Sequence, residues 1–197
     1  MPGRLSPGSP SVPAPLPGEK QGCVLASGRL HRRPEVAMTH ALVLLLALLI
    51  GVVAGLRTFT APAAVAWAAM LGWIVLDGTW AQWLAHPITV AVFSVLAVGE
   101  LVTDQLPKTP SRKTAMQFIP RLVSGGFAGA VIGTAWGYTF GGLGAGVIGA
   151  VLGTLGGYEA RRRLVAANRG RDLPIALLED VVAVVGGFAI AWLASVV

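Results

Sequence analysis

The chain has 197 residues, 54% of them hydrophobic and 12% charged, with a mean hydropathy of +0.71. Soluble domains carry roughly 25% charged residues, so this composition excludes an ordinary water-soluble globule and indicates a membrane protein. A formal charge of +6 does not point to nucleic acid, because the basic residues stand in short stretches between apolar runs and no basic stripe with interleaved aromatics occurs. Cys23 is the sole cysteine, which excludes an intrachain disulfide and a cysteine-based metal site.

Residues 1–37, with "MPGRLSPGSPSVPAPLPGEK", are rich in Pro, Gly and Ser and too poor in apolar surface to fold, so a disordered tail is expected. A second methionine, Met38, directly precedes "THALVLLLALLIG", and the expected start lies there. Residues 38–197 then form a single transmembrane domain.

A helix needs about 20 apolar residues to cross a bilayer, and six spans emerge in an all-α polytopic bundle. The first runs from His40 to Leu56 and stops at Arg57. The second runs to Leu76, with Thr60 as N-cap and Pro62 in the first turn. Trp80 and Trp83 belong to an interfacial aromatic belt, and His86 caps the third span, Pro87 to Gln105. The basic loop "KTPSRKTAMQFIP" precedes the fourth, Arg121 to Phe140. A Gly-Gly turn at Gly141 and Gly142 leads to the fifth, which ends at Tyr158. The sixth starts at Pro174 and reaches the C-terminus. A rival arrangement has five spans and makes Thr58 to Leu76 re-entrant.

Outside the tail, every Lys and Arg falls on one side of the six-span arrangement: Arg57, Lys108, Arg112, Lys113, Arg121, Arg161, Arg162, Arg163, Arg169 and Arg171. The positive-inside rule makes that side cytoplasmic and puts both termini outside. Arg57 then closes the first helix, where a cation meets the negative end of the dipole and snorkels to headgroups.

The fourth and fifth spans carry Gly125, Gly129, Gly133, Gly137 and Gly141, continued by Ala145, Gly149, Gly153 and Gly157. Small residues every fourth position let helices approach backbone to backbone in lipid, where no hydrophobic force joins them. A Gly-lined antiparallel hairpin of the glycine-zipper kind follows, with a pore or carrier interface as the alternative use of the same ridge.

Charges inside the cytoplasmic leaflet form a further pattern. Glu100 and Asp104 lie four apart on one helix face, Glu179 and Asp180 sit early in the sixth span, Glu159 closes the fifth and Arg121 opens the fourth. Intramembrane carboxylates are costly and normally have a partner. Arg57 and Arg121 are therefore expected to pair with Glu100, Asp104 and Glu179. Such a cluster serves either as a structural knot or as an ion or solute path. Catalysis is not expected, because no nucleophile or metal-ligand pattern accompanies the carboxylates and His40 and His86 lie on the outer side. No cofactor and no metal are expected.

The stretches "GLRTFTAPAAVAWAA", "GELVTDQLP", "TPSR", "PRLVSGGFAG", "GGYEARRRLV" and "ALLEDVVAV", in this order, resemble a bacterial integral membrane family catalogued as domain of unknown function 4126. The resemblance covers about residues 40–197 and implies a multi-span inner-membrane protein; it supplies no substrate and no catalytic residues. The N-terminal extension departs from the family pattern. The functional expectation is a structural or assembly protein of the bacterial inner membrane with a cytoplasmic-side ionic cluster, the alternative being a small ion or solute transporter using Arg57, Glu100, Asp104 and Glu179. A lipid- or isoprenoid-modifying enzyme is the weakest option. Expected partners are the lipid bilayer and a second copy of the chain, with no nucleic acid.

The topology is testable with fusions to the chain begun at Met38. A periplasmic reporter after Val197 or inserted at Gly78 is expected to be active and one at Arg112 inactive; activity at Arg112 would sink the six-span arrangement.

Overall fold

A computed structural model describes residues 34–103, 115–168 and 172–196. Asp104, most of the basic loop, Arg169, Arg171 and residues 1–33 of the tail expected to be disordered lie outside the described residues; residues 34–37 of that tail are instead helical, as the first turn of α1. Among those described there is no strand. The helices are α1 (Pro34–Leu56), α2 (Thr60–Met70), α3 (Pro87–Thr103), α4 (Ala115–Ala135), α5 (Thr139–Ala167) and α6 (Leu173–Leu193), with short 3-10 turns at Gln82–Ala85 and Ala194–Val196.

Three segments are long and apolar enough to cross a membrane: Gln117–Ala135, Thr139–Ala167 and Leu173–Val196. The apolar part of α1, His40–Leu56, and α3 have 17 residues each, about 25 Å at 1.5 Å per residue against a hydrocarbon core near 30 Å. The second expected span is corrected. Its helix is only 11 residues long, about 16 Å, because Gly72 takes φ +71° and ends it. The amides of Trp73 and Gly72 donate back to Ala68 and Ala69, the paired bonds of a Schellman cap.

The same device corrects the α4–α5 boundary. Gly137 takes φ +77°, and Tyr138 and Gly137 donate to the carbonyls of Gly133 and Thr134. The turn thus lies at 136–138, and Gly141 and Gly142 are helical. α5 also runs nine residues past Tyr158, since nothing in "EARRRLVAA" breaks a helix.

That shift of the turn redistributes the glycines. Gly125, Gly129 and Gly133 do line the α4 face toward α5, but they meet Gly142 and Gly146. A Cβ built on Gly129 would stand 2.8 Å from Cα of Gly146, and one on Gly142 would stand 2.9 Å from Cα of Gly133. The predicted α5 series turns instead toward α1: Gly141 meets Leu44, Gly149 meets Leu48 and Val52, and Gly153 meets Val52. α1 answers with its own glycines. A Cβ on Gly55 would lie 2.5 Å from the Ala150 carbonyl oxygen. Gly137 leaves the ridge for the turn, and Gly157 is half-buried beside α6.

α1 therefore packs against both α4 and α5, which also pack on each other, and meets α2 and α6. Val43, Ile50, Val53, Val65, Val131 and Ile190 belong to one buried cluster across four of these helices. α3 buries only Val90 and packs mainly on α2. Large apolar side chains such as Leu45, Val95, Ile148 and Val185 point outward, as expected where the surroundings are lipid.

The two ends of the bundle differ in chemistry. At one end Trp80 Nε1 donates to Thr134 Oγ1 at 3.0 Å, while the rings of Trp80, Trp83, Phe93 and Phe127 cluster with centroids 6.0 to 6.5 Å apart. His86 Nδ1 accepts the Ile88 amide at 3.3 Å, the cap anticipated for α3. The other end holds the buried charges.

Gly129→Leu drives a branched side chain into the α5 backbone, where overpacking costs about 1–3 kcal/mol; a clear fall in the detergent melting temperature is expected. Gly144, whose Cβ would meet nothing within 4 Å, is the control: Gly144→Leu is expected to melt no lower than the parent. Equal losses from both would refute the backbone contact.

Candidate functional site: a buried ionic hub at the break between two helices

Three residues, Arg57 to Phe59, separate α1 from α2. A helix break strands the last carbonyls of one helix and the first amides of the next, and no water serves them inside a bilayer. Side chains from other helices fill the gap.

Arg121 of α4 is 2% exposed, and its Nη1 donates to the carbonyls of Gly55 at 2.6 Å and Leu56 at 2.8 Å. Thr154 Oγ1 of α5 reaches the Gly55 carbonyl at 3.2 Å, and Ser124 Oγ donates to the Thr58 carbonyl. On the α2 side the Glu100 carboxylate of α3 accepts the Thr58 amide at 2.6 Å and the Phe59 amide at 2.8 Å. A cation thus meets the negative end of α1 and an anion the positive end of α2, the favourable sense for both dipoles.

Arg57 lies inside this arrangement at 0% exposure, and its Nη2 pairs with Asp180 Oδ1 of α6. Asp180 is 8% exposed. The expectation that Arg57 snorkels to headgroups is corrected, because its side chain is fully buried and α6 supplies a carboxylate. Arg57, Arg121, Glu100 and Asp180 together make two cations and two anions.

The expected pairings change as well. Glu100 caps a helix start, and Arg121 donates to the carbonyls of Gly55 and Leu56. Glu179 pairs with Arg161 at 3.5 Å. Successive helical residues point about 100° apart, so Glu179 and Asp180 serve different sites. Glu159 binds Arg162 and Arg163 of its own helix, since α5 carries all three beyond the hub. Arg161 also makes a two-pronged contact with Asp172 at 2.9 and 2.7 Å. The single predicted cluster is thus two: a buried hub and a half-exposed group where α5 meets α6. The pairing predicted for Asp104 lies outside the described residues.

Thr60, expected to cap α2, does not; its hydroxyl is buried without a hydrogen bond, and Glu100 takes the capping role. Ser124, Thr154 and Thr58 were not singled out from the sequence. The signal was present in "RLVS", which sets Ser124 three residues after Arg121 and so on the same helix face. Among the described residues no group of His, Cys, Asp and Glu could hold a metal ion.

No family model matches the chain, and no curated protein and no solved structure is significantly similar to it.

Removing the Glu100 carboxylate leaves two amides unpaired, at about 1–3 kcal/mol each. Glu100→Gln retains one acceptor oxygen, so its loss of thermal stability is expected to be smaller than that of Glu100→Ala. An Ala variant as stable as the parent would show that the cap contributes nothing.

Proposed function

We propose that the chain is a structural or assembly protein of a bacterial inner membrane, of the family catalogued as domain of unknown function 4126, with the hub acting as an internal fastener. The observation that carries this reading is the full burial of Arg57 against Asp180 in a group whose other charges cap helix ends. An ion path requires charges that face water or a mobile ligand; Arg121 and Glu100 face backbone and Arg57 faces Asp180. The hydroxyls of Ser124 and Thr154 donate to carbonyls rather than to a base among the described residues, which argues against an enzyme.

Six crossings fit this reading better than five. α2 starts at the hub, and the chain then continues through Leu71–Thr79 to Trp80, which is tied to Thr134 at the opposite end of α4. In this reading the second crossing is the 11-residue α2 followed by turns and bends to Thr79, in which Ile74 and Leu76 are buried and Leu71 and Val75 are exposed. With the arginine-rich end taken as cytoplasmic, the hub lies just inside the inner boundary and the tryptophans mark the outer one.

One observation favours transport as the second reading: interrupted helices commonly form the sites of transporters, and the Thr60 hydroxyl at this interruption is buried and unpaired.

A double-mutant cycle separates the two. Arg57→Leu and Asp180→Leu alone each strand a buried charge, and losses of about 3–5 kcal/mol are expected. The double variant replaces the pair with apolar side chains and is expected to recover most of that loss. A fastener restored in this way complements a deletion strain; a stable double variant that fails to complement would establish the transport reading instead.

A further inference from the structure

α5 has 29 residues, about 43 Å at 1.5 Å per residue, whereas the hydrocarbon core of a bilayer is near 30 Å. Its start lies at one boundary. Thr139 Oγ1 is 2.9 Å from Thr134 Oγ1, which accepts the Trp80 indole, and tryptophans gather at membrane interfaces. Counted from Thr139, Glu159 stands 20 residues along, roughly 30 Å and so at the opposite edge of the hydrocarbon. Arg162 and Arg163 stand roughly 5 Å further, at the level of the phosphates.

The outward face of α5 leads to them. Ile148, Leu152 and Leu155 are exposed and step by four and three residues to Glu159 and Arg162, so all five share one face. Arg162 and Arg163 are 65% and 77% exposed in their side chains, and each donates from one nitrogen to the same oxygen, Oε1 of Glu159, at 2.9 and 2.7 Å. A guanidinium has five N–H donors, so both keep donors for a second acceptor. Two exposed cations are offset by one carboxylate. Arg161 points to the other side of the helix, where Asp172 and Glu179 hold it.

We infer that this outward face of α5 binds an anionic phospholipid, its acyl chains along Ile148, Leu152 and Leu155 and its phosphate held by Arg162 and Arg163, with Glu159 as the competing anion. The inference rests on α5 as a membrane span and is independent of the fastener reading of the hub. Arginine takes phosphate through paired N–H groups, and an uncompensated cation at the membrane surface attracts anionic lipid. A zwitterionic headgroup gains no such net attraction. Glu159 sets the strength of the preference, because it neutralises one of the two cations.

The test uses the full-length protein in vesicles of equal phosphatidylglycerol and phosphatidylcholine, with retained lipid counted by native mass spectrometry. The parent is expected to retain phosphatidylglycerol with about fivefold enrichment, the factor for one uncompensated arginine. Arg162→Gln with Arg163→Gln is expected to abolish the enrichment. Glu159→Gln uncovers the second cation and is expected to raise it to about 25-fold. Arg161→Gln removes one charge from the other side of α5 and is expected to leave it unchanged. Equal retention of the two lipids by the parent overturns the inference, as does undiminished enrichment in the double variant or no rise with Glu159→Gln. A loss with Arg161→Gln as large as in the double variant overturns it too, because net charge rather than this face would then select the lipid. A parent that stays out of the vesicles overturns the span itself and the inference with it. None of these outcomes touches the Arg57–Asp180 cycle.

Discussion

Everything at the charged end of this protein follows from one constraint: α1 stops at Leu56 and α2 begins at Thr60 in a region where the backbone has no water to bond. Arg121 and Thr154 close the carbonyl side and Glu100 closes the amide side. Each comes from a different helix, so α3, α4 and α5 are all held to the same three-residue break. The caps also bring charge into a low-dielectric interior, which is tolerable because the cation faces one dipole end and the anions face the other or pair with Arg57.

Packing around that break follows the logic of lipid rather than of water. Glycine and alanine lie between helices and Leu, Val and Ile point away, because association in a bilayer gains from close contact and not from removing apolar surface from solvent. α5 displays this most fully. Gly142 and Gly146 admit α4 while Gly149 and Gly153 admit α1; these positions fall on one face of the helix, so one stripe serves two partners at successive heights. Close approach to both partners is also what lets short side chains such as Thr154 and Ser124 reach carbonyls on neighbouring helices.

The two ionic groups differ in kind. In the hub, Arg57, Arg121 and Asp180 are buried and Glu100 is half-buried, and each is matched by a dipole or an opposite charge, which suits a fixed joint. Where α5 meets α6 the charges are partly exposed and cations exceed carboxylates locally around Glu159, which suits contact with something outside the chain.

The sequence by itself determined the membrane class, the approximate position of most apolar segments and the residues that carry intramembrane charge, because composition and hydropathy respond to the solvent around each segment. It also marked the small-residue stripe on α4. Partners were decided by the tertiary structure. Whether Glu179 or Asp180 met Arg57 depended on the rotation of α6, and a rotation of one residue exchanges them. The turn between α4 and α5 depended on which glycine took positive φ; Gly137 and Gly142 are equally permissive as residues, and only the fit of Gly142 against Gly133 separates them. The helix break was legible as a charge in an apolar run, but that Arg57 is buried rather than at a surface required Asp180 of α6 to meet it, a long-range contact that no local pattern records.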